Sequence, residues 1–504
     1  MNTLGELVNS GDRDDFALAA PDRQSLTYDE LRAQVDYTVA RLNELGVGRN
    51  DPVAIVLPNG PEMASAFISI GAGATTAPLN PAYRGEEFDF YLEDLQPKLL
   101  VVAEGTESPV VASAAKLGIN VASLKRTESG PAGTFELLGE PVANDSLTPG
   151  PAQSSDIALV LHTSGTTSKP KLVPLSQQNV CASARNVAVS LALTPEDRCL
   201  NIMPLFHIHG LIAAVLGSMY AGASVSCTPG FNALKFFSWL EQVRPSWYTG
   251  VPTMHQAILS RAERNREIID SVKLRFLRSS SASLPPQVMQ ELEATFDAPV
   301  IEAYGMTEAA HQMACNPLPR GLQKPGSVGL AAGPKVSIMN QAGEHLATGD
   351  IGEIVIQGEN VTSGYLNNDE ANATAYTDGW FRTGDQGHID GDGYLTLTGR
   401  LKEIINRGGE KISPREVDEI LLDHESVAQV VTFAIPHKKL GEEVAAAIVL
   451  KEGSELDEKG LRDYAASRLA DFKVPKKVVF LDEIPKGPTG KLQRIGLAEK
   501  LGLT

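Results

Sequence analysis

The sequence is poor in cysteine: Cys181, Cys199, Cys227 and Cys315 are its four, far apart and without CxxC spacing. That scatter excludes a disulfide framework and a thiolate metal site, fits a reducing compartment, and leaves the four as packing residues. No apolar run reaches the roughly 20 residues that a membrane span needs, and Met1-Asn2-Thr3-Leu4-Gly5-Glu6 lacks the basic-then-apolar pattern of a secretory leader. The ending Leu501-Gly502-Leu503-Thr504 is not a peroxisomal signal either, so the cytoplasm is the expected compartment. Positive charge is short as well: 44 Lys and Arg stand against 62 Asp and Glu, for a net charge of −18. Such a balance argues against nucleic acid or an anionic membrane as partner. A small anionic ligand therefore has to be met by basic groups gathered locally.

What is present is enough for more than one core. At 504 residues, 42% hydrophobic and 21% charged, the chain has the size of a soluble enzyme of two or more domains. Thr27-Tyr28-Asp29-Glu30 is a capping box, and Leu31, Val35, Val39 and Leu42 continue it at helical spacing up to Gly46. Apolar runs at 53–57, 99–103 and 157–161 predict buried strands, with a small-residue helix at 62–72 between the first two. That alternation predicts parallel sheets covered by helices. Residues 144–155 have linker composition, and 352–358 and 393–399 predict shorter strands in a small β-barrel-like or antiparallel subdomain. From about Leu401 the pattern becomes a compact α+β unit, with helices near 416–422 and 459–470 and strands at 428–435, 444–450 and 477–481.

Three stretches carry chemistry. The loop 163–171 follows the 157–161 strand with Thr163, Ser164, Thr166 and Thr167 as hydroxyl donors, Gly165 to turn backbone N–H groups inward, and Lys169 and Lys171 for charge. It suits a polyphosphate but is not a Walker A motif. In 302–308, Tyr304 offers an aromatic face, Thr307 a hydroxyl and Glu308 a carboxylate for a hard cation. The stretch 380–385 ends on Asp385, a carboxylate suited to a ribose diol.

Together with 364–367, 399–402, 406–412 and 485–491, and in this order, these stretches resemble the adenylate-forming superfamily: acyl-CoA synthetases, 4-coumarate–CoA ligases, firefly luciferase and the adenylation domains of peptide synthetases. The resemblance implies an α/β fold, with a large N-terminal domain of two parallel-rich αβ subdomains plus a small β-barrel-like one (1–399), a hinge (400–402) at Lys402, and a small mobile α+β lid (403–504). It implies two half-reactions: a carboxylate attacks the α-phosphorus of MgATP to give acyl-AMP and pyrophosphate, and a thiolate, usually of coenzyme A, then displaces AMP. On that likeness Thr163, Ser164, Gly165, Thr166, Thr167 and Lys171 hold the β- and γ-phosphates, Thr307 the α-phosphate and Glu308 Mg²⁺. Tyr304 stacks on adenine, Asp385 and Arg400 bind the ribose, and Lys491 bridges the carboxylate and the α-phosphate. Arg407, Gly408 and Gly409 form the face for the thiol arm. Lys491, on a Gly/Pro-rich loop, also suits a displacement that needs charge brought in and withdrawn. Ser168 and Leu172 stand where Gly is common in the family, and neither removes an amide donor.

The acid pocket is expected to be polar. His207, Ser281 and His311 fall where the family lines that pocket, His207 also being a catalytic candidate, although composition alone favours an ordinary, partly exposed helix histidine for His311. The His207-x-His209 pair lacks further ligands at metal spacing. Ser168 together with His311-Gln312-Met313 and Asn316-Pro317-Leu318-Pro319 resembles the oxalate–CoA ligase subgroup, in which His311 and Ser281 would pair the second carboxylate. A 4-coumarate-like or medium-chain acyl-CoA ligase is the alternative, and a non-catalytic nucleotide sensor a weaker one. No carrier domain is expected after Lys491.

Overall fold

The computed structural model describes residues 1–127, 129–141, 148–163, 170–486 and 492–504. Two large sheets dominate the first two-thirds of the chain. In the seven-stranded sheet Pro52–Val56, Thr75–Pro78, Leu99–Ala103, Asn120–Arg126 and Ile157–Thr163 run parallel. Its edges, Phe135–Leu138 and Lys171–Ser176, are antiparallel, so the sheet is parallel-rich as expected. Apolar residues fill the central strands because both faces are covered: Val53, Ile55, Leu99 and Val101 are buried with the Tyr28–Glu44 and Pro61–Gly71 helices. The Thr27–Glu30 capping box forms, each residue's side chain accepting the other's backbone N–H at 3.3 and 2.8 Å.

The nine-stranded sheet has a parallel centre, Arg198–Asn201, Trp247–Gly250, Phe276–Ser280 and Val300–Met306, and then reverses into His311–Cys315. Beside it lies the His209–Leu216 helix, wound with the wide i→i+5 spacing often found at functional sites and entirely buried. Gly210 is required there, since a Cβ would lie 2.4 Å from the Pro204 carbonyl oxygen.

Lys335–Met339, Gly352–Gln357, Tyr376–Thr377, Trp380–Ile389 and Leu395–Arg400 make a small antiparallel sheet. Its core ends at Leu397; the next core begins at Ile405 and belongs to a five-stranded sheet with the Pro414–Leu422 and Glu458–Ala466 helices. This C-terminal unit touches the preceding strand through Ser413, whose hydroxyl donates to the Thr398 carbonyl, and through Arg415 Nη1, which donates to the Leu397 carbonyl at 2.8 Å. All four cysteines are buried. Among the described residues no helix is long and apolar enough to cross a membrane.

Candidate active site

The carboxyl ends of the parallel strands, where open α/β sheets bind ligands, gather the candidate residues into two groups. The first is a three-residue chain. Tyr304, near the end of Val300–Met306, donates its hydroxyl to Asp385 Oδ2 at 2.6 Å, and Arg400 Nε donates to Asp385 Oδ1 at 2.8 Å. Antiparallel register sets Asp385 directly opposite Arg400 in the small sheet. The carboxylate raises the Arg400 guanidinium above its usual range, and burial raises the Tyr304 phenol. Each oxygen of Asp385 retains acceptor capacity beyond its one donor, which a ribose diol can use.

Glu308 follows in the short Thr307–Ala309 turn, beside the half-buried Thr307. It is 7% exposed, its Oε1 accepts the Tyr365 hydroxyl at 2.9 Å, and burial pushes its carboxyl up. Among the described residues it has no ion-pair partner within 4 Å, and Lys171 Nζ lies instead over the Tyr365 ring, 4.3 Å from its centroid. A buried carboxylate left in this state fits a hard divalent cation. The strand before the phosphate-binding candidate runs to Thr163, two residues beyond expectation, and Thr163 pairs with Lys171 of the neighbouring antiparallel strand. Ser164, Gly165, Thr166 and Thr167 lie outside the described residues, as does Lys169.

The second group corrects the reading of His311 as a partly exposed helix residue. His311 opens the His311–Cys315 strand and is 2% exposed. Two left-handed backbone positions in succession, Ala310 at φ 48° and His311 at φ 104°, turn the chain into this strand, a strained geometry of the kind found at functional sites. Gly305 makes room for the turn: a Cβ there would sit 1.7 Å from the His311 carbonyl oxygen. The imidazole stacks on His209, with centroids 5.2 Å apart, and its Nε2 accepts Arg278 Nη2–H at 2.9 Å. Ser281, at φ 73°, has its hydroxyl 3.0 Å from His209 Nδ1. His207 is half-buried and its Nδ1 accepts the His209 backbone N–H at 3.3 Å.

Arg278 and His209 are functional candidates that the sequence reading passed over. The available signal was an arginine inside the apolar run Phe276-Leu277-Arg278, where a buried parallel strand ordinarily carries no charge. Arg278 is 0% exposed, and it also donates to His209 Nε2 at 3.3 Å, Thr249 Oγ1 at 3.4 Å and Gln312 Oε1 at 3.2 Å.

The remaining candidates lie in the C-terminal unit. Lys402 is exposed in the turn after Leu395–Arg400. Arg407 Nε pairs with Glu443 at 2.6 Å, Gly408 N–H donates to the Leu440 carbonyl, and Gly409, at φ 100°, has open space where a Cβ would stand. Among the described residues no hydrogen bond or ion pair joins 407–409 to the Tyr304–Asp385–Arg400 chain. Lys491 lies outside the described residues, on a segment whose flanks Lys486 and Leu492 pair antiparallel.

Comparison with known proteins places the whole chain. Residues 8–366 match the AMP-binding enzyme family and 416–491 the AMP-binding enzyme C-terminal domain. The chain is 47% identical to a probable CoA ligase, CCL9, of Humulus lupulus over 94% of its own length and 91% of that protein's. It is 44% identical to the oxalate–CoA ligase of Arabidopsis thaliana, over 95% and 94% respectively. Among solved structures, ATP-bound MatB from Rhodopseudomonas palustris superimposes with a TM-score of 0.89 at 29% identity, covering 99% of this chain and 98% of that one.

Proposed function

This chain belongs to the AMP-binding enzyme family, and from that premise we propose that its acid is oxalate and its product oxalyl-CoA. It is an AMP-forming acid–CoA ligase, and adenylate-forming CoA ligases use ATP and CoA: the acid's carboxylate attacks the α-phosphorus, pyrophosphate leaves, and the thiol then displaces AMP from the acyl group. The observation that carries oxalate is the polar lining made by His311, His209 and Ser281 around Arg278. A hydrocarbon-lined pocket would leave a second carboxylate unpaired, at a cost of several kcal/mol. Imidazole and hydroxyl donors remove that cost. The similarity to the oxalate–CoA ligase of Arabidopsis thaliana supports the same substrate.

In this reading Asp385 and Arg400 hold the ribose, Tyr304 lies against adenine, and Thr307 binds the α-phosphate. The stretch 163–171 takes the β- and γ-phosphates through Thr163, Ser164, Gly165, Thr166, Thr167 and Lys171. Glu308 would hold Mg²⁺, which when bound offsets phosphate charge. Lys491 bridges the attacking carboxylate and the α-phosphate, with His207 and His311 on the acid side. The C-terminal unit turns about Lys402 to present Lys491 first and Arg407, Gly408 and Gly409 second. Pyrophosphate release measured over oxalate, acetate, hexanoate and 4-coumarate, with and without CoA, tests the substrate. Oxalate should be used best, and His311→Ala should lower oxalate kcat/KM by about thirty- to a thousandfold, or roughly 2–4 kcal/mol, and that for other acids far less. An enzyme that ignores oxalate but turns over hexanoate or 4-coumarate would leave the family chemistry standing and refute the substrate.

A further inference from the structure

We infer that Arg278 is the specificity-determining charge of the acid site, a positioning residue that fixes His209 and His311 as neutral donors and favours a substrate with a second negative charge. The inference rests on the oxalate reading and names the group behind it.

A guanidinium only donates. Because Arg278 Nη1 points at His209 Nε2 and Nη2 at His311 Nε2, both ε-nitrogens must be unprotonated acceptors. Each ring then carries its proton on Nδ1. In His209 that proton meets the Ser281 hydroxyl at 3.0 Å, while Nε2 also accepts the Thr249 hydroxyl at 2.6 Å. One buried side chain thus sets the tautomer of two stacked imidazoles and keeps both uncharged. Gln312 holds the fork in place: its Oε1 accepts from Arg278, and its amide nitrogen is anchored on the Asn186 carbonyl at 3.1 Å and the Ser190 hydroxyl at 3.0 Å.

The charge itself is unbalanced. Every hydrogen-bond partner of Arg278 is neutral, Nε has no acceptor, and among the described residues no carboxylate lies within ion-pair distance. Burial lowers its pKa only to about 10, so it stays cationic at neutral pH; the nearby Cys199 and Cys315 thiols are raised by burial and stay protonated. A buried cation without a counter-ion is costly. It is balanced when a dianionic acid sits on the imidazoles it orients, one carboxylate going to the adenylation chemistry and the other lying toward the His209–His311 pair. Thr249 and Arg278 are register neighbours on adjacent parallel strands, at the sheet end where substrate is held.

The test compares oxalate with oxamate, which has nearly the same shape but an uncharged amide in place of the second carboxylate. Pyrophosphate release is followed in the full-length enzyme with MgATP. Wild type should prefer oxalate in kcat/KM by at least about tenfold, a difference of roughly 1.4 kcal/mol. Arg278→Gln, which keeps hydrogen-bond donors but removes the charge, should cut the oxalate/oxamate ratio at least about tenfold with the KM for ATP unchanged. Arg278→Lys should retain more of the ratio than Arg278→Gln, because it keeps the charge without the fork. An Arg278→Gln enzyme impaired equally on both acids would make Arg278 a structural strut and overturn the inference. If neither variant folds, wild type alone decides: oxalate turnover without discrimination against oxamate refutes the role of the charge while leaving the oxalate reading intact. Failure to use oxalate at all refutes both.

Discussion

Glu302 lies two residues before Tyr304 in the same strand, wholly buried, with Oε1 accepting the Leu284 amide at 3.0 Å and Oε2 without a partner. Burial pushes its carboxyl up to about 7, against the lowering effect of that amide. An unfolded glutamate titrates near 4.3. Folding therefore favours the protonated form, and the stability it contributes is complete below about pH 4.3, falls as pH rises toward 7, and is lost above that. The full loss is about 4 kcal/mol at 1.36 kcal/mol per unit. Glu302→Gln mimics the neutral acid, so its melting temperature should gain on wild type between pH 5 and pH 8. A difference in melting temperature that stays constant across that range would show that folding does not raise the Glu302 carboxyl.

At the scale of elements, the strands 157–163 and 171–176 pair antiparallel on either side of one candidate phosphate-binding segment, and Lys486 pairs with Leu492 on either side of the segment that carries Lys491. For the second segment we predict that Lys491→Ala loses most pyrophosphate release from ATP and acid, yet still forms thioester from a supplied acyl-adenylate. Equal loss in both assays would show that Lys491 does not act in the first step alone. Elements of this kind were legible in advance. The 99–103 strand was read at its observed limits, and the 27–30 capping box started its helix as expected, because local apolar pattern and capping chemistry determine both. The path into His311 was not legible. Two non-glycine residues at positive φ create it, and nothing in their side chains announces a conformation that Gly305 permits from across the sheet. Arg278 was missed for a related reason: its partners come from positions 209, 249, 311 and 312, which only the tertiary fold brings together.

At the scale of the whole molecule, the chain divides where its packing divides, between Leu397 and Ile405, and among the described residues only a few polar contacts such as Arg415 with the Leu397 carbonyl cross the boundary. A unit with its own core and so light an attachment can rotate as one body. If rotation brings Gly409 to the substrate for the second half-reaction, Gly409→Trp should leave pyrophosphate release near wild type and block transfer to CoA. The open space around Gly409 spares the observed arrangement a clash, although its positive φ will strain the turn. Normal thioester turnover in that variant would remove the need for two alternating faces.

The burial of every cysteine bears on what the enzyme does to itself. An acyl-adenylate is an acylating agent, and it waits in the protein until CoA arrives. A thiolate of the chain's own would intercept it and end turnover in a dead covalent adduct. Burial holds Cys181 and Cys227 up at about 12 and Cys315 at about 11, and raises Cys199 well above the usual thiol value. At neutral pH no more than about one in ten thousand of Cys181, Cys227 or Cys315 is then nucleophilic. The only reactive sulfur the activated acid should meet is the one that CoA delivers. Intact-mass measurement after prolonged incubation with acid and MgATP but no CoA should find no acyl group on cysteine, and a protein that slowly gains one would show that burial does not shield its thiols from its own intermediate.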